Sequence, residues 1–129
     1  MRRHKIDGVI HHVLVACPPG GEGAQRSFYG AALGWQELPK PPLLKRRGGC
    51  WFRVPGIGGP DGELHVGIEK DFRPAQKAHP AFVVDIDATA TKLLAAGFEV
   101  VWADADEIPG RRRFHSSDGV GNRVEFLDR

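Results

Sequence analysis

The sequence predicts an α+β fold made of two copies of a βαβββ unit that share one core. Three observations predict it. Short apolar runs are separated by turns throughout, as 17 glycines and 10 prolines require. The order of elements in the first half recurs in the second. Landmark residues also recur at a slowly falling offset: His12 with His79 at 67, Gly34 with Gly97 at 63, Phe52 with Phe114 at 62 and His65 with Glu125 at 60. The copies span about residues 6–70 and 78–129. Neither is large enough to bury a secure core alone, but 129 residues together bury roughly two-thirds of their unfolded surface. One domain of two modules follows.

Each element has a local cause. Val9 to Ala16 is rich in β-branched residues and is closed by Pro18 to Gly21, so it reads as a strand. Ala24, Phe28, Ala31 and Ala32 are spaced for a helix over 23–33, with Gly34 where a helix-ending glycine belongs. Residues 35–38 form a short strand, and Pro39 to Pro42 forces a loop. Residues 49–54 and 63–69 are the next strands. A polar connector with Pro74 leads to a strand over 79–84. Asp87 is suited to cap a helix over 88–96, with Leu93 and Leu94 turned inward and Gly97 ending it. Strands follow over 98–102, 112–115 and 123–127, the last two joined by a turn over 117–122.

Composition limits function. Eighteen Lys and Arg oppose 16 Asp and Glu, so the net charge is only +2, which argues against nucleic acid as the main partner. No apolar run reaches the ~18 residues of a membrane span. The basic start (MRRHK) and Leu14 to Cys17 (LVAC) echo a lipoprotein signal, but Asp7, Gly8, His11 and His12 interrupt the apolar region such a signal needs. Cys17 and Cys50 have no CxxC spacing and read as reduced thiols, so a cytoplasmic protein is expected.

The repeat also selects chemistry. It sets His12 and His79 at the first strand of each copy, and His65 and Glu125 at the last. If a pseudo-twofold axis relates the copies, three imidazoles and a carboxylate converge, a donor set for Zn, Ni, Co, Mn or Fe. A half-buried hydrogen-bonded histidine is the simpler reading of any one of them, and a salt bridge with Arg123 is the simpler reading of Glu125. Strand alternation turns His11 away from His12. Glu63 shares the face of His65 and could replace it as ligand or act as a base. His115 points away from Phe114 and could line the site. Arg113, in the run Arg111 to Arg113, could bind an anionic group or simply solvate a strand edge. Trp51 is among the aromatics able to line a cleft.

Four segments resemble the vicinal oxygen chelate superfamily, the glyoxalase/bleomycin-resistance/extradiol-dioxygenase group. They are Ile10 to Val13 (IHHV), Ser27 to Trp35 (SFYGAALGW), His79 to Val84 (HPAFVV) and Gly121 to Phe126 (GNRVEF). They are spread over nearly the whole chain. The turn Asp118 to Asn122 (DGVGN) departs from the usual Asp-Pro-Phe-Gly-Asn. The resemblance implies a cupped sheet, metal ligands at His12, His79 and Glu125 with His65 as the fourth, and bidentate chelation of a small substrate. Four ligands fit a lyase or isomerase working through an enediolate-type intermediate, with Glu125 or Glu63 moving the proton. A metal-free protein that sequesters a ligand and an extradiol-type dioxygenase are the alternatives. A homodimer is expected, with the site inside one chain or shared between two.

Overall fold

In the computed structural model, residues 3–129 are described; the first two residues of the basic start lie outside them. Two four-stranded mixed sheets are present, as the repeat predicts. In the first, β1 (His12–Cys17), β2 (Glu37–Leu38), β3 (Cys50–Val54) and β4 (Gly62–Ile68) are ordered β1-β4-β3-β2. In the second, β5 (Ala81–Val83), β6 (Val101–Trp102), β7 (Arg113–Ser117) and β8 (Arg123–Leu127) are ordered β5-β8-β7-β6. The two outer pairs, β1 with β4 and β5 with β8, are parallel; the others are antiparallel.

The first helix, α1, starts as Glu22–Gln25 and continues as a wider π-helix over Arg26–Ala32, with Leu33 N–H donating to the Phe28 carbonyl at 3.0 Å. A second short helix, α2 (Pro42–Lys45), lies where the prolines predicted only loop; Pro42 fits because a first-turn residue needs no N–H partner. The helix of the second half, α3, spans Ile86–Ala95. Its cap is Asp85, not Asp87: the Asp85 carboxylate accepts from Ala88 N–H, while Asp87 sits in the first turn and pairs with Arg112. Leu93 is fully buried but Leu94 is exposed, because adjacent helical positions lie about 100° apart and one narrow stripe faces the core.

The core is a single cluster fed by both halves. Phe28, Tyr29, Phe52, Leu64, Leu93, Phe114, Val124 and Phe126 are all fully buried in it. Along each strand the alternate residues face the opposite way: His65 against Leu64 and Val66, and Glu125 against Val124 and Phe126. The halves are locked by contacts far apart in sequence. Phe28 meets Phe98 edge-on at 5.0 Å, and Trp35 meets Phe82 at 5.0 Å. The buried Asp118 carboxylate accepts from the Gln25 amide at 2.9 Å and the Tyr29 hydroxyl at 2.8 Å. Asn122 donates to the Ala16 carbonyl at 2.8 Å. A Cβ at Gly119 would lie 2.0 Å from the Ala24 carbonyl oxygen, so this turn reaches the first helix only with glycine. The altered turn therefore keeps the anchoring Asp and Asn. Cys17 and Cys50 are free and buried, and burial pushes the Cys50 thiol up to about 11. Among the described residues no helix is long and apolar enough to cross a membrane.

Candidate metal centre

The two sheets each carry a histidine cluster on the face turned away from the helices. On the first sheet, register sets His65 opposite Trp51 and beside Leu14. Its ring lies between two others: it stacks on Trp51 at 4.2 Å and on His12 at 3.9 Å. Glu63 accepts from His65 Nε2 at 2.8 Å. That bond holds the Glu63 carboxyl below its usual range, whereas burial holds the His65 ring below its own. His11 is not turned away from His12. It precedes the strand, so alternation does not govern it; its Nδ1 is 2.9 Å from His12 Nδ1 and its Nε2 is 3.9 Å from Glu63.

On the second sheet, register sets Glu125 opposite His115 and beside Ala81. Matching His65 to Glu125 thus makes Trp51 the counterpart of His115. The sequence pairing of Phe52 with Phe114 is therefore two residues off, because the two hairpins have turns of different length. Glu125 Oε1 lies 3.1 Å from His79 Nε2, 3.0 Å from His115 Nε2 and 3.5 Å from Arg113 Nη1. Arg123, the partner expected for Glu125, reaches His115 Nε2 at 3.0 Å and the Gln76 carbonyl at 3.3 Å instead. Burial acts to raise the Glu125 carboxyl, but the His79 bond and the nearby Arg113 and His115 outweigh it and hold it below its usual range. Burial, then Arg123, depresses the His115 ring.

Donor chemistry fixes the protons here. A backbone carbonyl only accepts, so the 2.7 Å contact from His79 Nδ1 to Lys77 O places a proton on Nδ1 and aims Nε2 at Glu125. A guanidinium only donates, so Arg123 makes His115 Nε2 an acceptor. His115 Nε2 and Glu125 Oε1 are then two lone-pair atoms 3.0 Å apart with His79 Nε2 beside them. The Arg113 guanidinium beside Glu125 and the Arg123 guanidinium on His115 supply positive charge to this arrangement, and a cation held between the three atoms would supply more. Among the described residues, His79, His115 and Glu125 form the one group of three or more His, Cys, Asp or Glu whose ligand atoms all lie within 4.8 Å of one another. Two imidazole nitrogens and a carboxylate suit a borderline divalent ion, so the residues present fit the metal.

Of the residues chosen from the repeat, the fold therefore brings His12 to His65 and His79 to Glu125, and in one chain the two pairs belong to separate clusters. His115 joins the second cluster, a role the sequence gave only as site lining. Arg113 is largely buried and shared between Glu107 and Glu125. The Lys77 carbonyl was missed altogether; its signal is local, two residues before a histidine that precedes a strand.

No protein-family model and no curated protein matches the chain. Among solved structures, a glyoxalase family protein from Bacillus anthracis is 46% identical, with 98% of each chain covered and a TM-score of 0.83. The chain belongs to the glyoxalase/bleomycin resistance/dioxygenase superfamily. More distant structures share the superfamily fold. An integron cassette protein from the metagenome of the Halifax Harbour sewage outfall is 20% identical over 96% of this chain and 100% of that one, at a TM-score of 0.71. Lactoylglutathione lyase from Agrobacterium tumefaciens is 18% identical over 96% of each chain, at 0.69.

Proposed function

We propose that the protein is a divalent-metal-dependent lyase or isomerase acting on a small oxygen-chelating substrate, in the cytoplasm and as a homodimer. One observation carries the reading: His79 Nε2, His115 Nε2 and Glu125 Oε1 converge, with the Lys77 carbonyl holding the His79 ring in a ligand tautomer. His79 and Glu125 would hold the ion, with His12 and His65. A Zn, Ni, Co, Mn or Fe ion held there would supply Lewis acidity for negative charge developing on the substrate oxygens. The chain's own residues do the rest. Glu63, held ionised by His65, or Glu125 takes up the substrate proton. His115 and Arg113 line the site, and Trp51 braces His65. Tyr29 is fully buried on Asp118, so the chain's one tyrosine does not line the site.

His12 and His65 form one cluster and His79 and Glu125 another, so the reading assigns the complete four-ligand site to two copies of the chain. The test is complementation. Purified protein should take up about one metal per chain, and His12→Ala or Glu125→Ala alone should abolish uptake. Unfolding and refolding the two variants together should restore uptake in the mixed dimer, which keeps one intact site. Failure of the wild type to bind added Zn, Ni or Mn would end the enzyme reading. It would favour a metal-free ligand-binding protein, for which Arg113 and Arg123 already set guanidinium charge beside the Glu125 cluster.

A further inference from the structure

A cavity of about 410 Å³ opens beside His79, along the seam between β1 and the connector that leads into β5. That volume suits a small metabolite. Its walls divide by chemistry. Leu14, Ala16 and Pro80 offer an apolar surface, while Arg73, Arg123 and Glu69 offer charge. Arg123 is fixed in place: one end of its guanidinium is held by the Gln76 carbonyl and the other by His115. A guanidinium has five N–H donors, so others remain free. Arg73 has no hydrogen-bond or ion-pair partner among the described residues. Glu69, the one acid in the wall, forms no ion pair within 4 Å with either arginine. The cavity therefore holds two permanent positive charges against one negative, next to the histidine proposed as a ligand. Asn122 also lines it, but its side-chain amide is spent on Ala16 and Asp118.

We infer that this cavity recognises a second anionic group on the substrate: a carboxylate set away from the oxygens that chelate, gripped by Arg73 with Arg123. The inference rests on the proposed metal site for the chelating end and on the cavity alone for the anionic end. The substrate class becomes a hydroxy or oxo acid with an additional carboxylate. A guanidinium suits a planar carboxylate because its two parallel N–H bonds match the two oxygens, and the second arginine in the wall adds positive charge. The carbon skeleton between the two ends lies against Leu14 and Pro80.

Three simple acids separate the parts. Malate carries both a chelating 2-hydroxy acid and a second carboxylate; lactate lacks the second carboxylate; succinate lacks the hydroxyl. Calorimetric titration of the metal-loaded dimer should show malate binding at least about tenfold tighter than lactate. Arg73→Gln should remove that difference while leaving metal content and lactate affinity unchanged. Equal binding of malate and lactate, no binding of either, or a preference that survives in Arg73→Gln would overturn the inference. If the protein takes up no metal, the same comparison of wild type with Arg73→Gln is made with succinate. Binding lost in the variant then keeps the anion site and discards the metal reading; binding absent or unchanged discards both.

Discussion

The two histidine clusters occupy equivalent places in two sheets of the same strand order, yet they are built differently. At the centre of the first, His65 lies between the flat rings of Trp51 and His12. At the centre of the second, Glu125 collects polar atoms from His79, His115 and Arg113. Trp51 and His115 hold the same register position opposite these central residues. Exchanging a ring for a carboxylate at the centre, and an indole for an imidazole opposite, turns a stacked cluster into a convergent one. Stacked rings bring faces together and leave nitrogens at the edges, so they fix orientation. A buried carboxylate instead draws donors inward and demands a cation. Repetition of the backbone supplied two clusters, and the central side chain decided which of them gathers charge.

The sharpest way to break this comparison is to neutralise each carboxylate in turn. Glu125→Gln should lower metal affinity more than about 100-fold, beyond the effect of losing a supporting partner of a ligand. Glu63→Gln should leave uptake in place and slow turnover. Equal losses in metal titration would mean that the clusters do not differ as described.

Asp118 holds the halves together without touching either cluster. Asp118→Ala strands the Gln25, Tyr29 and Asn122 donors in a buried site and should cost about 3 kcal/mol in urea unfolding. Unfolding should remain a single transition, because both halves feed one core. Trp51→Ala should cost less, about 1–2 kcal/mol, by unstacking His65. Because the indole braces His65, metal titration of this variant should show weaker uptake than the wild type, by less than Glu125→Gln causes.

The smallest effect is that of pH. Burial holds His65 and His115 below their ordinary 6.5. A folded state that resists a proton is favoured above the unfolded value, and that advantage is lost as pH falls from 6.5 toward the folded value. Glu63 and Glu125 are held below their ordinary 4.5, so their contribution survives until pH falls below that value. Melting temperature of the metal-free protein should therefore fall in two steps on acidification. His65→Gln or His115→Gln should each weaken the first step. An unchanged first step in both variants would remove the histidines as its source.

Much of this was legible before any coordinates. The strand over 123–127 was bounded as found, because Val124 and Phe126 alternate with charged neighbours and a glycine turn precedes them. Glu63 and His65 share a face because strand period is local. The cap at Asp85 was misplaced by two residues, since Asp85 and Asp87 both fit a cap and only backbone geometry separates them. His11 was turned the wrong way because the strand begins one residue after it.

By itself the sequence determined the doubled fold, the superfamily likeness and the short set of polar residues that face away from the core, because repeat, turn chemistry and two-residue alternation are properties of neighbouring positions. Which of those residues meet was decided only by the tertiary structure. That His79 converges with His115 and Glu125 while His12 stacks on His65 depends on the strand register within each sheet. Register pairs residues from strands far apart in the chain, such as His115 with Glu125 and Leu14 with His65, which no local pattern links.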